Sequence, residues 1–122
     1  MSSRQVIQFE FEEHSADDPQ VVVLALTGEL DLTNAQELGE RLESVVSTGS
    51  SSLVLDLTRV AFIDSAALHV LFRGARGLSK ERFGLVIEPA SAISRTFEIV
   101  GLDAVATVGG SVHDVMATLS SG

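Results

Sequence analysis

Residues 53–68 read LVLDLTRVAFIDSAAL, and the fold follows from how this stretch divides. Leu53-Val54-Leu55-Asp56-Leu57 is an almost unbroken apolar run of strand length, as a strand covered on both faces requires, with Asp56 as a polar interruption near its end. From about Ser65 the period changes. Leu68, Leu71, Phe72, Ala75 and Leu78 fall on one side of a helix, whereas Arg73, Arg76 and Lys80 share the other and lie in its later turns, where cations suit the helix dipole. A buried strand passing through a very short loop into an amphipathic helix is the building unit of a parallel sheet.

Upstream, VIQFEFE at 6–12 alternates, with Ile7, Phe9 and Phe11 on one side and Gln8, Glu10 and Glu12 on the other, which predicts a half-exposed strand. The polar segment at 14–20 reads as a hairpin turn, and VVVLAL at 21–26 as a second, central strand. Gly28-Glu29-Leu30-Asp31 follows, and then Thr33 is the expected N-cap of a helix of about thirteen residues, with Gln36 completing the capping pattern. Ala35, Leu38, Leu42, Val45 and Val46 form its apolar stripe.

Downstream, FGLVI at 83–87 predicts a strand and Pro89 the opening of a short helix carrying Ile93, Phe97 and Val100, with Gly101 as its stop. A weak strand is expected around 105–108, and Ser111 with Asp114 caps a last helix whose stripe is Val112, Val115, Met116 and Leu119. The order β-β-α-β-α-β-α-β-α implies an α/β fold with a mixed, largely parallel sheet and about four covering helices. At 122 residues, 45 % of them hydrophobic, the chain is expected to be one domain over 1–122 with its core at about 6–119.

Composition narrows the function. Seventeen acidic against eight basic residues give a formal net charge of −9, and the first half up to Asp64 carries all of it, with twelve acidic and three basic residues. Nucleic acid is excluded as a direct partner, because phosphate backbones need a basic footprint. A basic protein surface suits such a charge. No run approaches the roughly 18 apolar residues of a membrane span, the N-terminal stretch lacks a secretory pattern, and cysteine is absent, so a cytoplasmic location is expected.

Chemistry concentrates at Asp64-Ser65. Either residue is placed to cap the helix that follows, and a serine in a first turn lies beside unpaired N–H groups and the positive end of the dipole, where a phosphate is accommodated. If the loops at Glu29–Asp31 and Asp64–Ser65 share one rim, a phosphate on Ser65 joins existing carboxylates and changes the surface sharply. A plainer role is also open: Ser65 as a cap, Asp31 and Asp56 in local hydrogen bonds.

Catalysis finds little support. Ser65 and His69 lie four apart on one helix, but no G-x-S-x-G elbow surrounds the serine, and His69 reads as a surface or partner-facing side chain. His14 and His113 are isolated. Asp31, Asp56 and Asp64 are of the type that holds magnesium, yet nothing in their spacing makes a metal site the expectation. No glycine-rich phosphate loop of either common pattern occurs, so no nucleotide cofactor is expected.

The pattern resembles the STAS domain, in particular the bacterial anti-sigma factor antagonists. GELDLTNA at 28–35, LVLDLTRVAFIDSAAL at 53–68 and VIEPASAISRTFEIVGLDAV at 86–105 carry the resemblance. It implies a protein-binding module that is not an enzyme. Its partner would be an anti-sigma factor with a histidine-kinase-like ATPase fold, bound while the serine is unmodified so that the sigma factor is released. Phosphorylation of that serine would break the complex, and a PP2C-type phosphatase would restore it. The matching phosphoacceptor is Ser65, with Asp31 and Asp64 as supporting contacts and Glu29, Ala66, Ala67 and His69 around them. The family's common run is Asp-Ser-Ser-Gly-Leu, whereas this chain has Asp64-Ser65-Ala66-Ala67-Leu68. Alanine favours helix over glycine by up to about 1 kcal/mol, so a stiffer first turn is expected. Ala67 is also expected to add a methyl where a partner's backbone approaches. The alternative is a constitutive STAS adaptor, in a transporter-linked or stress-signalling assembly, that no kinase modifies.

Overall fold

The computed structural model describes residues 8–13, 21–48 and 52–121. Five strands and four helices alternate as the sequence pattern predicts: β1 (Gln8–Glu13), β2 (Val21–Leu30), α1 (Leu32–Thr48), β3 (Ser52–Ile63), α2 (Ser65–Leu78), β4 (Phe83–Val86), α3 (Ala92–Val100), β5 (Thr107–Gly109) and α4 (Val112–Ser121). They form one sheet in the order β1-β2-β3-β4-β5, with β1 antiparallel to β2 and every other neighbour pair parallel. The expected turn at 14–20, the start of the first strand at 6 and 7, and most of the polar cluster after α1 lie outside the described residues.

Strand order dictates where the helices go. From β2 to β5 the chain steps across the sheet in one direction, and right-handed crossovers in one direction place every connecting helix on the same face. The main core accordingly joins Leu24, Leu26 and Leu30 of β2 and Leu53, Leu55 and Leu57 of β3 to Leu38 and Leu42 of α1, Leu71 and Leu78 of α2, and Phe97 of α3. The opposite face needs a helix that is not a crossover. The C-terminal α4 supplies it, packing Val115, Met116 and Leu119 against Val21, Val23, Val54 and Val86.

Two glycines mark where layers touch. A Cβ on Gly84 of β4 would lie 2.2 Å from Val115 Cγ1, so α4 rests directly on that strand's backbone. A Cβ on Gly74 of α2 would lie 2.9 Å from Leu42 Cδ1, at the approach of α1 to α2.

Several expectations are corrected. β2 and β3 run on to Leu30 and Ile63 rather than ending at 26 and 57, because Thr27–Leu30 pairs with Arg59–Ile63. One face of this extension is solvent-exposed, and two register shifts, between Ala25 and Thr27 and between Gly28 and Glu29, interrupt the alternation that reveals a strand. α1 begins at Leu32 and is longer than expected, with Asp31 rather than Thr33 before its first turn. In α2, Leu68 and Phe72 are only half-buried, while Val70, absent from the predicted stripe, is buried. Lys80 lies beyond the helix.

Pro89 occupies a turn rather than the helix, and Ser91 caps α3 by accepting the Ser94 N–H at 3.0 Å. Gly101 ends α3 in the left-handed conformation, at φ +81°, as predicted. A short 3₁₀ turn at Leu102–Ala104 precedes the segment expected to be strand at 105–108, and β5 begins two residues later than expected, at Thr107–Gly109. Ser111 caps α4 through the Asp114 N–H at 3.1 Å, also as predicted.

Candidate partner-binding site

Parallel β2 and β3 end side by side, with Leu30 opposite Ile63 and Glu29 opposite Phe62. The rim at which α1 and α2 begin is therefore shared, and the expectation that the two loops are neighbours is met. The Asp64 N–H donates to the Leu30 carbonyl at 3.0 Å, continuing the strand pairing by one residue. Asp64 itself is extended, at φ −102° and ψ −178°, and is the N-cap of α2.

Its carboxylate does two things. Oδ1 accepts the Ala67 N–H at 3.0 Å, satisfying one of the orphan donors of the first turn of α2. Oδ2 accepts the Leu32 N–H at 3.1 Å, reaching the first residue of α1. One side chain thus fastens two helix N-termini together.

The GELD segment is fastened from its own side. Asp31 Oδ1 accepts the Thr33 N–H at 3.0 Å and also the Thr33 hydroxyl. Asn34, buried, receives the Asp31 N–H on Oδ1 at 2.9 Å and donates its amide to the Glu29 carbonyl at 2.8 Å. Asp31 and Asn34 therefore form a reciprocal cap of the kind expected of Thr33 and Gln36, displaced by two residues. Gln36 instead reaches Glu40 at 3.4 Å along the outer face of the helix. The sequence reading missed Asn34; the signal was an Asp with an Asn three residues later, immediately before an apolar stripe.

Ser65 is the first residue of α2 and is exposed. Since Asp64 holds the cap position, Ser65 does not cap the helix, and its hydroxyl has no hydrogen-bond partner among the described residues. Glu29 is exposed on the same rim, Ala66 half-buried, and His69 exposed one helical turn further on. Ala67 corrects an expectation. It is 0 % exposed and packs in the main core, so its methyl faces inward and offers nothing to a partner.

Asp56 stays apart from this rim. It sits in β3 opposite Ala25 and Val86, and its carboxylate accepts the Thr58 N–H at 3.0 Å and the Thr58 hydroxyl at 2.7 Å. Among the described residues no cluster of three or more His, Asp or Glu side chains is placed to hold a metal ion, and no helix is long and apolar enough to cross a membrane. A cleft of about 180 Å³ opens between α1 and α2, lined by Leu42, Glu43, Val70 and Arg73 with three glycines; none of the rim residues lines it. The rim carries exposed and charged side chains and lines none of that cleft, which suits it to contact with another protein more than to enclosing a small molecule.

The family model described as "Mlab, STAS domain" matches residues 14–109. The chain belongs to the STAS domain family. Its similarity to the anti-sigma-F factor antagonist RsfB of Mycobacterium tuberculosis is 32 % identity over 108 residues, 88 % of each protein. Among solved structures, this STAS chain is similar to an anti-sigma factor antagonist from Mycobacterium paratuberculosis, with a TM-score of 0.82 at 27 % identity over 98 % of this chain and 99 % of that one. The fold alone is also shared with the Bacillus cell fate determinant SpoIIAA in its phosphorylated form, with a TM-score of 0.63 at 19 % identity, covering 90 % and 97 % of the two chains. STAS chains of this group are non-catalytic adaptors, and the rim around Ser65 is to be read in those terms.

Proposed function

We infer that this STAS chain is an anti-sigma factor antagonist whose binding is switched at Ser65. With Ser65 unmodified, the rim binds an anti-sigma factor of histidine-kinase-like ATPase fold and the sigma factor is released. The same partner transfers the γ-phosphoryl group of ATP to Ser65 Oγ: an O–P bond forms, ADP leaves, and the hydroxyl proton passes to a base on the kinase. Hydrolysis by a PP2C-type phosphatase returns the serine.

The observation that carries this reading is the hydroxyl of Ser65, exposed and, among the described residues, unpartnered at the head of α2, where Asp64 has taken the capping role. A phosphate there adds roughly −1.5 to −2 charges. It arrives beside Glu29, Asp31 and Asp64, on a surface that a docked partner must desolvate. The fold tolerates the modification, because Ser65 contributes no cap and no buried contact, while the interface does not.

The test is intact-mass measurement after incubating the protein and its Ser65→Ala variant with ATP and each anti-sigma factor kinase of the same organism. An addition of about 80 Da, one phosphoryl group, to the wild type alone is expected. Ser65→Ala should bind the kinase and resist inactivation, and Ser65→Asp should bind weakly. A kinase that binds both variants equally and modifies neither chain would replace the switch by a constitutive adaptor.

A further inference from the structure

Among the described residues two large apolar side chains stand exposed at the rim itself, Leu32 at 75 % and Phe62 at 50 %. Leu32 is the first residue of α1, and the core contacts of that helix begin only at Ala35 and Leu38, so the exposed leucine adds nothing to the packing of the fold. Its backbone is nevertheless fixed, since the Leu32 N–H is held by Asp64, the residue next to Ser65. Phe62 lies two residues before Asp64, near the end of β3, opposite Glu29. Single exposed apolar residues are ordinary on a protein surface. Here two stand on the rim that carries Ser65: Leu32 follows Asp31 and has its N–H held by Asp64, and Phe62 is paired across the strands with Glu29.

We propose that Leu32 and Phe62 are the apolar anchors of the partner interface, seating in an apolar recess rimmed by Lys or Arg side chains on the anti-sigma factor. The proposal rests on the partner-switching role inferred above and names what the partner recognises. Interfaces place a few large side chains in a dry centre and leave charges at the rim, and the acidic residues beside this pair call for basic groups opposite. Ser65 lies on the same rim, three residues after Phe62 and next to the Asp64 that holds the Leu32 N–H, so docking of the anchors brings its hydroxyl into the contact. A phosphate at that position would be stripped of water there, which explains why attraction to basic groups at the periphery does not rescue binding.

The test is calorimetric titration of the full chain into the kinase of that organism that the wild type binds most tightly. Leu32→Ala and Phe62→Ala should each weaken binding by about tenfold or more, Leu32→Ala with its unfolding midpoint nearly unchanged because the side chain is 75 % exposed, and Phe62→Ala, which is half covered, read on protein verified as fully folded. Ile99→Ala, at the C-terminal end of α3 and 77 % exposed, removes a comparable surface apolar group and should leave affinity within about twofold. If both anchor variants bind like the wild type while Ser65→Asp binds weakly, the anchor proposal fails and the switch stands. If Ser65→Asp also binds like the wild type, or no kinase binds the wild type, the switch fails and the anchors with it.

Discussion

Asp64 commits each carboxylate oxygen to a different helix, Oδ1 to Ala67 and Oδ2 to Leu32, and asparagine can reproduce only half of that. An amide has one acceptor oxygen, so whichever bond survives, an NH₂ group faces the other donor. Asp64→Asn should keep the cap of α2, since Asn caps about as well as Asp, and should release the α1 end. The expected result is a loss of about 1 kcal/mol in urea unfolding with faster hydrogen exchange at the Leu32 amide. Unchanged exchange at Leu32 would show that the clamp between the helices does not operate. Ala67 makes a second test at the same scale. With a fully buried methyl, Ala67→Gly restores the family's common residue at a loss of about 1–2 kcal/mol, from helix propensity and one buried methyl group together. It should leave kinase affinity unchanged, measured on protein that is fully folded, because the methyl never reaches the surface. A gain in affinity would mean that the first turn of α2 must loosen for docking.

At the scale of elements, α4 lies close on the sheet because Gly84 and Gly109 both leave room for Val115, with Gly84 the tighter approach. A methyl on Gly84 would overlap Val115 Cγ1, 2.2 Å from the ideal Cβ position, and β4 is held between β3 and β5 and cannot retreat. Gly84→Ala should therefore destabilise the fold by about 1–3 kcal/mol in urea unfolding, the usual range for overpacking. Combining it with Val115→Ala should recover part of that loss, and strict additivity of the two changes would show that they do not meet. This packing was only half legible in the sequence. The stripe Val112, Val115, Met116 and Leu119 announced the helix, but no local pattern says which strand it crosses. The strand extensions were hidden for a different reason. In Thr27–Leu30 and Thr58–Ile63 one face is wet and the register slips twice, so the alternation that betrays a strand never forms. Two helix starts were misplaced: α1 by two residues, where Asp31 and Thr33 compete as caps, and α3 by three, where Pro89 was expected to open the helix and Ser91 caps it. The bonds that settle both starts are local ones, Asp31 with Thr33 and Asn34, and Ser91 with Ser94. The clamp at Asp64 is different in kind, since 32 residues separate its carboxylate from the amide it holds, and no local pattern announces it.

For the whole molecule the decisive quantity is how charge is distributed, and the sequence displays it directly: twelve of seventeen acidic residues precede Ser65, and the remainder of the chain balances. Folding places part of that excess on the rim, at Glu29, Asp31 and Asp64, and part on the outer face of α1, at Glu37, Glu40 and Glu43, which are exposed. On the proposed reading, the three rim carboxylates attract a basic partner to the surface that carries Ser65. Long-range attraction and short-range fit then separate by kinetics. Raising salt from about 20 mM to about 500 mM shortens the screening length to a few ångströms and should slow association about tenfold or more while changing dissociation much less. Phosphorylation adds charge of the attracting sign, so it should not slow encounter with a basic partner. On the proposed switch its effect must fall on the bound state, where a dianion on the rim that carries Leu32 and Phe62 is cut off from water. Stopped-flow kinetics of the phosphorylated and unmodified chains at several salt concentrations should give equal or faster association for the phosphorylated form and a dissociation rate raised at least about tenfold. Slower association with unaltered dissociation would place the switch at long-range repulsion, and the partner's docking surface would then have to be acidic.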